Sequence, residues 1–295
     1  MITEEKLAGW TGPSSPTEKE KQERTERMIR EAINEHDGFD GYRNDFSIYA
    51  KGSYANNTNV KSDSDVDVVV ECRDVCYLQE HDPAKGGHPS GNPYTGPWSP
   101  DKLRKEVAAA LEKKFPGSVT AGSTAFEVDA SSARVNADVV PSFMYKLYFS
   151  DGTYREGTRV FKKDGTSIVN YPKLQLEEGK AKNVRTNGSY KKTVRILKRL
   201  ENELVSKGLT EEVPSYLLEC LIYNCPEEYF KRDTWRGTMR GCLAEIFNHT
   251  IRDESDDNRW LEANGSKFLF HSTQKWTRAQ IHKFSSDAWD YMEFK

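Results

Sequence analysis

The 295-residue sequence has no apolar run approaching the ~18–20 residues that a membrane-spanning helix needs, so a helical membrane protein is excluded. No CxxC pair occurs, and the five cysteines, Cys72, Cys76, Cys220, Cys225 and Cys242, are odd in number and scattered. That excludes a disulfide framework and suits reduced thiols. A zinc site from Cys220, Cys225, Cys242 and His249 is conceivable, but buried apolar thiols are the ordinary reading. The N-terminus, MITEEKLAGW, carries acids where an export signal carries bases, and no apolar stretch follows, so a cytoplasmic protein with no membrane partner is expected. Neither sign of charge dominates: 43 Lys and Arg against 46 Asp and Glu leave a net charge of −3. A general nucleic-acid coat is thereby disfavoured, although local basic patches are not.

Present instead is a segment that sets small and polar residues directly against a greasy strand, GSYANNTNVKSDSDVDVVV, residues 52–70. Burying carboxylates costs several kcal/mol each unless a cation or partner compensates them, so Asp65 and Asp67 at the mouth of a buried strand need a chemical reason. In a strand, residues two apart share a face. Asp65 and Asp67 therefore project together while Val66, Val68 and Val70 point into the core. Paired carboxylates of this kind suit two magnesium ions, with manganese as a substitute, held ~3.5–4 Å apart for an in-line phosphoryl displacement. A third acid is expected on a neighbouring strand. Asp138, inside the apolar run ADVV, is preferred to Asp129, which sits beside small turn residues. Gly52 would let the backbone approach phosphates, and Ser53 could donate its hydroxyl and N–H to them. DSDVD also matches the start of a calcium loop, but that loop needs Gly at its sixth position, where this chain has Val68. A purely structural role, with both acids capping a strand or pairing with lysines, is the competing reading of an isolated DxD.

The remainder of the chain reads as an α+β protein of two lobes. Residues 17–36 predict a helix, DFSIYA (45–50) and DVDVVVEC (65–72) predict strands, and the Pro- and Gly-dense stretch 81–100 predicts a loop. Ser99 and Pro100 open a helix whose Leu103, Val107, Leu111 and Phe115 share a face. Four strand-like segments follow, SVTAG, STAFEVD, ARVNADVVPSF and MYKLYFS, and from about residue 187 the pattern becomes helical. The expected division is 1–180 for a mixed-sheet catalytic lobe and 181–295 for a helical lobe.

On GSYANNTNVKSDSDVDVVV, ADVVP, VNYPKL, YKKTVRILKRL and PSYLLECLIYN the sequence resembles the polymerase-beta superfamily of nucleotidyltransferases. More narrowly it resembles the bacterial cGAS/DncV-like nucleotidyltransferases, and within them the pyrimidine-using cyclic dinucleotide synthases of the CdnE type. The resemblance spans residues 52–226. It implies a bilobal fold with the nucleotide held between the lobes, a metal triad of Asp65, Asp67 and Asp138, and a cyclic second messenger made in anti-phage defence and received by a downstream effector. Nucleoside triphosphates are the implied substrates, UTP with ATP or a second pyrimidine nucleotide, and no nucleic-acid template is expected.

Between Lys180 and Leu200 stand eight basic residues and no acid. Such a run usually coats a solvated face, but Lys191, Arg195 and Lys198 fall at helical spacing on one side, which suits phosphates. By resemblance to the animal cyclic GMP-AMP synthase, Lys198, Ser215 and Tyr216 would hold the donor nucleotide, Tyr216 by stacking on a base. The competing role for Tyr216 is core packing. Asn170, in SIVNYPKL, offers both a donor and an acceptor and could satisfy the N3–H and O4 of uracil together. Its competing role is as a turn residue before Tyr-Pro. Besides cyclic dinucleotide synthesis, the readings that stay open are transfer of a nucleotide to RNA, a small molecule or a protein, and a non-catalytic nucleotide sensor.

Overall fold

The computed structural model describes residues 2–13, 15–60, 65–85, 93–251 and 259–295. Asp63 and the middle of the expected 81–100 loop, residues 86–92, lie outside the described residues. In chain order the elements are α1 (Glu4–Gly9), α2 (Pro16–Asn34), β1 (Phe46–Lys51), α3 (Gly52–Ala55), β2 (Val66–Glu80), α4 (Pro100–Lys114), β3 (Val119–Ala121) and β4 (Phe126–Val128). There follow β5 (Ala137–Tyr148), β6 (Tyr154–Phe161), β7 (Ser167–Asn170), α5 (Pro172–Arg185), α6 (Ser189–Ser206), α7 (Ser215–Asn224), α8 (Trp235–Ile251) and α9 (Arg278–Tyr291). Among the described residues no helix is long and apolar enough to cross a membrane.

The chain forms two units. One comprises Ser15–Tyr54 and Ser62–Lys173, the other Met1–Ser14, Ala55–Lys61 and Leu174–Lys295. Sequence order alone assigns residues 1–180 to one lobe, whereas in the structure residues 2–13 and 55–60 belong with the helices.

In the sheet unit, helix starts follow their local chemistry. Ser15 and Ser99 each accept an N–H from the first turn, from Glu18 at 3.3 Å and Lys102 at 3.2 Å, and each precedes a proline at the first helical position. The sheet runs β1-β2-β5-β4-β3, with β6 pairing β5 and β7 pairing β6. β2 and β5 are parallel; the other pairs are antiparallel. Val66, Val68, Val70, Val139 and Phe143 form a core with Ile29 and Ile33 of α2 and Leu103, Val107 and Leu111 of α4. The opposite face of the sheet is therefore available to polar side chains. The segments ARVNADVVPSF and MYKLYFS, expected as two strands, are joined between Phe143 and Met144 in one strand, β5. Pro141 lies where pairing on one side passes from β4, ending at Val139, to β6, beginning at Phe143, a stretch in which a residue lacking an N–H is tolerated.

The helical unit is built on α6, whose Tyr190, Val194, Leu197, Leu200 and Leu204 meet Leu217, Leu218 and Leu221 of α7, Met239, Leu243 and Ile246 of α8, and Ile281 and Phe284 of α9. The basic stretch from Lys180 is not one helix. Asn187 and Gly188 have φ of 48° and 81° and break it into α5 and α6. α6 is terminated by Gly208 at φ 68°, with the Leu209 N–H reaching back 3.0 Å to the Leu204 carbonyl. The Glu4 carboxylate caps α8 by accepting the N–H groups of Trp235 and Arg236 at 2.6 and 2.9 Å. Cys220, Cys225 and Cys242 are buried thiols, and the His249 ring stacks on Trp260 at 4.0 Å. They are core residues in this arrangement.

Candidate active site

Register on the polar face of the sheet does what the sequence pattern cannot. Lys51 pairs with Asp67, Asp67 with Asp138, and Asp138 with Glu127. Paired residues on adjacent strands share a face and stand ~4.8 Å apart across the sheet, so these four side chains form one transverse row. Asp65 immediately precedes β2 and is exposed, while Asp67 and Asp138 are half-buried. Asp138 is pushed up to about 6, first by burial and then by the charges of Asp67, Asp65 and Glu127, with Lys51 the opposing influence. The Lys51 ammonium lies 3.0 Å from Asp67 Oδ1.

This row holds two of the three aspartates that the sequence singles out, with Asp65 near enough for its charge to act on Asp138, and adds two residues it did not. Glu127 alternates with buried Phe126 and Val128, so the period-2 pattern of FEV was the available signal. Asp129, the alternative to Asp138, lies beyond β4 and is exposed, and its carbonyl accepts the Arg134 side chain at 2.7 Å. Four carboxylates against one ammonium leave an excess of negative charge, and an all-oxygen donor set of this kind fits a hard divalent cation. As the side chains stand, no three acid, thiol or imidazole groups among the described residues are closed into an ion cage; Lys51 is the cation against Asp67.

Gly52 follows β1 with φ 70°, and a Cβ there would run into the Asp67 carboxylate. Glycine is thus required twice, by backbone conformation and by space. Gly52→Ala is expected to destabilise the sheet unit by about 1–2 kcal/mol, which a lowered urea midpoint would register and an unchanged midpoint would refute. Ser53 lies in α3 and is half-buried.

Asn170 closes β7. It pairs with Thr158, which pairs with Met144, and Met144 lies on the same face of β5 as Asp138. The Asn170 side chain therefore belongs to the polar face of the triad, farther along the sheet.

The expected exposed cationic stripe on α6 is not found. α6 is the central helix of its unit, and its Arg195–Lys198 side turns inward. Arg195 is buried and donates Nε to the Thr11 carbonyl and Nη1 to the Asn57 carbonyl, each at 2.6 Å. Arg199 likewise donates to the carbonyls of Trp10 and Gly12, and Lys182 to those of Tyr223 and Cys225. These cations tie chain segments together by satisfying buried carbonyls. Lys198 is 3% exposed, and its Nζ has no hydrogen-bond partner among the described residues. Burial pulls its pKa down and the nearby Glu219 opposes that pull. Lys191 is half-buried, and burial lowers its pKa too. At the head of α7, Ser215 is exposed and Tyr216 is partly covered, its hydroxyl donating to Glu262 at 3.0 Å.

Comparison with known proteins sets this geometry in a family. Residues 177–293 match the C-terminal helical domain of the cGAS/DncV-like nucleotidyltransferases. The chain is 36% identical to a cyclic dipyrimidine nucleotide synthase CdnE of Legionella pneumophila, over 98% of each protein. It is 30% identical to a cyclic dipurine nucleotide synthase of Elizabethkingia meningoseptica, covering 100% of this chain and 99% of that one. The structure of the Rhodothermus marinus CdnE c-UMP-AMP synthase with Apcpp and Upnpp is similar at a TM-score of 0.84 and 27% identity, over 99% of this chain and 97% of that one. Agreement of this extent in sequence and in fold shows that the chain belongs to the cGAS/DncV-like nucleotidyltransferases, the CD-NTases.

Proposed function

We propose that the protein joins two ribonucleoside triphosphates, one of them UTP, into a cyclic dinucleotide that acts as a second messenger in anti-phage defence through a downstream effector. The observation that carries this reading is the pairing of Asp67 with Asp138 on adjacent parallel strands, close enough to Asp65 and Glu127 that Asp138 is pushed up to about 6. Such crowding of like charges on a sheet face is costly unless a reaction uses it.

In each transfer a 3′-oxygen bonds to an α-phosphorus, the bond from that phosphorus to the bridging oxygen breaks, and pyrophosphate leaves; two transfers close the ring. Asp65, Asp67 and Asp138 are the residues that would hold two Mg2+ ions. Bound there, the ions supply charge neutralisation at the phosphate and a more acidic attacking hydroxyl. Gly52 keeps the approach to Asp67 clear of a side chain, and Ser53 offers a hydroxyl to phosphate oxygens. Lys51 holds Asp67 in place until a stronger cation competes for it. From the helical unit, Ser215 is open to a ligand, the Tyr216 hydroxyl is anchored by Glu262, and half-buried Lys191 supplies a cation, whereas Lys198 is sealed beside Glu219 and acts inside that unit. Arg195 acts through structure, by fixing the backbone at Thr11 and Asn57. Asn170 is assigned to uracil because its amide matches both the donor and the acceptor on the pyrimidine edge.

Purified protein incubated with ATP, CTP, GTP, UTP and Mg2+ is expected to release pyrophosphate and to yield a cyclic dinucleotide containing uridine by mass spectrometry. Linear products alone, or a cyclic product without uridine, would contradict the proposal.

A further inference from the structure

The corner that carries Asn170 is gripped from both faces of the sheet. On one face, Tyr171 lies against Gly157 of β6, where a Cβ would stand 2.7 Å from the Asn170 carbonyl oxygen and 2.8 Å from the Tyr171 ring. Gly157 is paired with Tyr145, whose ring meets that of Tyr171 edge-on at 6.4 Å. Any side chain at 157 would have to push the Asn170 backbone away.

On the other face, two residues past Tyr171, the Lys173 ammonium donates to Glu71 Oε1 and Glu156 Oε1, both at 3.1 Å, and lies 5.1 Å from the Tyr49 ring centroid. Glu71 is fully buried and also accepts the Tyr49 hydroxyl at 2.9 Å. Glu71 belongs to the face of Asp67, four residues along β2, and pairs with the buried Ser142 of β5. Burial pulls the Lys173 pKa down, but Glu71 and Glu156 outweigh it and leave the pKa raised. A buried carboxylate with a single cationic partner locks that partner's position, because losing the pair strands the charge.

We propose that Lys173, anchored by Glu71 and Glu156, and Gly157 beneath the chain are positioning residues for base selection: together they fix where the Asn170 amide is presented. This rests on the assignment of Asn170 to the base. Neither residue needs to touch the nucleotide. An amide that recognises a base edge through two hydrogen bonds discriminates only if its own position is held to within a fraction of an ångström.

The test compares wild type, Lys173→Met, Lys173→Arg, Glu156→Gln, Gly157→Ala and Asn170→Ser in an equimolar mixture of the four NTPs, with product bases counted by mass spectrometry and melting followed by circular dichroism. Lys173→Met and Gly157→Ala are expected to lower the uridine share of the product by at least about fivefold, the discrimination of roughly one hydrogen bond. The Michaelis constant for UTP should rise more than that for the partner nucleotide. Lys173→Arg should restore the uridine share to near wild type. Glu156→Gln leaves the Glu71 pair in place and serves if Lys173→Met does not fold; it should shift the share in the same direction. If Asn170→Ser changes the product bases while folded Lys173, Glu156 and Gly157 variants do not, the positioning role is wrong. If Asn170→Ser also leaves them unchanged, the assignment of Asn170 itself fails and the inference falls with it.

Discussion

Asp67→Asn is expected to reduce cyclic product formation by roughly 10³-fold while leaving the fold intact. Asp67 is the middle member of the row, paired with Lys51 on one side and Asp138 on the other. Neutralising it removes a ligand from the proposed ion site, and an amide oxygen is a poorer substitute for a charged one. The effect on stability runs the other way. Asp67 is the strongest like-charge influence on Asp138, so its loss relieves repulsion, offset by the loss of the Lys51 pair, which is about a quarter exposed and worth little. The melting temperature of Asp67→Asn should therefore lie close to that of wild type or above it. Changing Asp65 and Asp67 together to Ala should abolish both product and downstream signalling; a nucleotide sensor would keep the signal. A variant that is inactive because it is unfolded would contradict the account as surely as an active one.

Glu219→Ala is expected to produce the largest loss of stability. Glu219 of α7 is 1% exposed and accepts hydrogen bonds from Asn56 Nδ2 at 2.5 Å, Thr58 Oγ1 at 2.7 Å and Gln175 Nε2 at 3.1 Å. It is also the nearby negative charge that opposes the desolvation of Lys198. Truncation leaves three buried donors without an acceptor and a sealed ammonium without a counter-charge, at a cost of about 3–5 kcal/mol. Glu219→Gln keeps an acceptor oxygen and the volume, and should cost less. Urea unfolding followed by circular dichroism measures both; a Glu219→Ala midpoint within error of wild type would show that the network carries no stability. Because Gly179 leaves room for Asn56, where a Cβ would approach the amide to 2.9 Å, Gly179→Ala should shift the midpoint in the same direction by a smaller amount.

What the sequence made legible was whatever depends on local period. Asp65 and Asp67 stand out because alternation separates them from Val66, Val68 and Val70, and Asp138 stands out because an acid amid Ala, Val and Val demands a cation. The start of α4 was readable from Ser99 and Pro100, whereas α2 runs from Pro16 to Asn34 where composition marks 17–36. Register was not readable. That Lys51 and Glu127 flank the aspartates follows from how β1 and β4 align with their neighbours, a tertiary fact with no mark in either segment. The strand expected to end at Phe143 runs on through Met144 to Tyr148, and the sheet accommodates Pro141 within it at a change of partners. The basic run misled for a related reason: spacing tells which residues share a side of a helix, not whether that side meets solvent. α6 is surrounded, so Arg195 and Lys198 point inward, and α5 went unseen because its apolar residues are few and Gly179 interrupts them.

The measurement that bears most directly on the account is a crystal structure grown with a non-hydrolysable nucleoside triphosphate and Mn2+, with data collected for the anomalous signal of manganese. The account predicts manganese density bounded by the carboxylates of Asp65, Asp67 and Asp138, with Lys51 released from Asp67. Anomalous peaks elsewhere, or Asp138 rotated away from Asp67 with the Lys51 pair still in place beside a bound nucleotide, would contradict it.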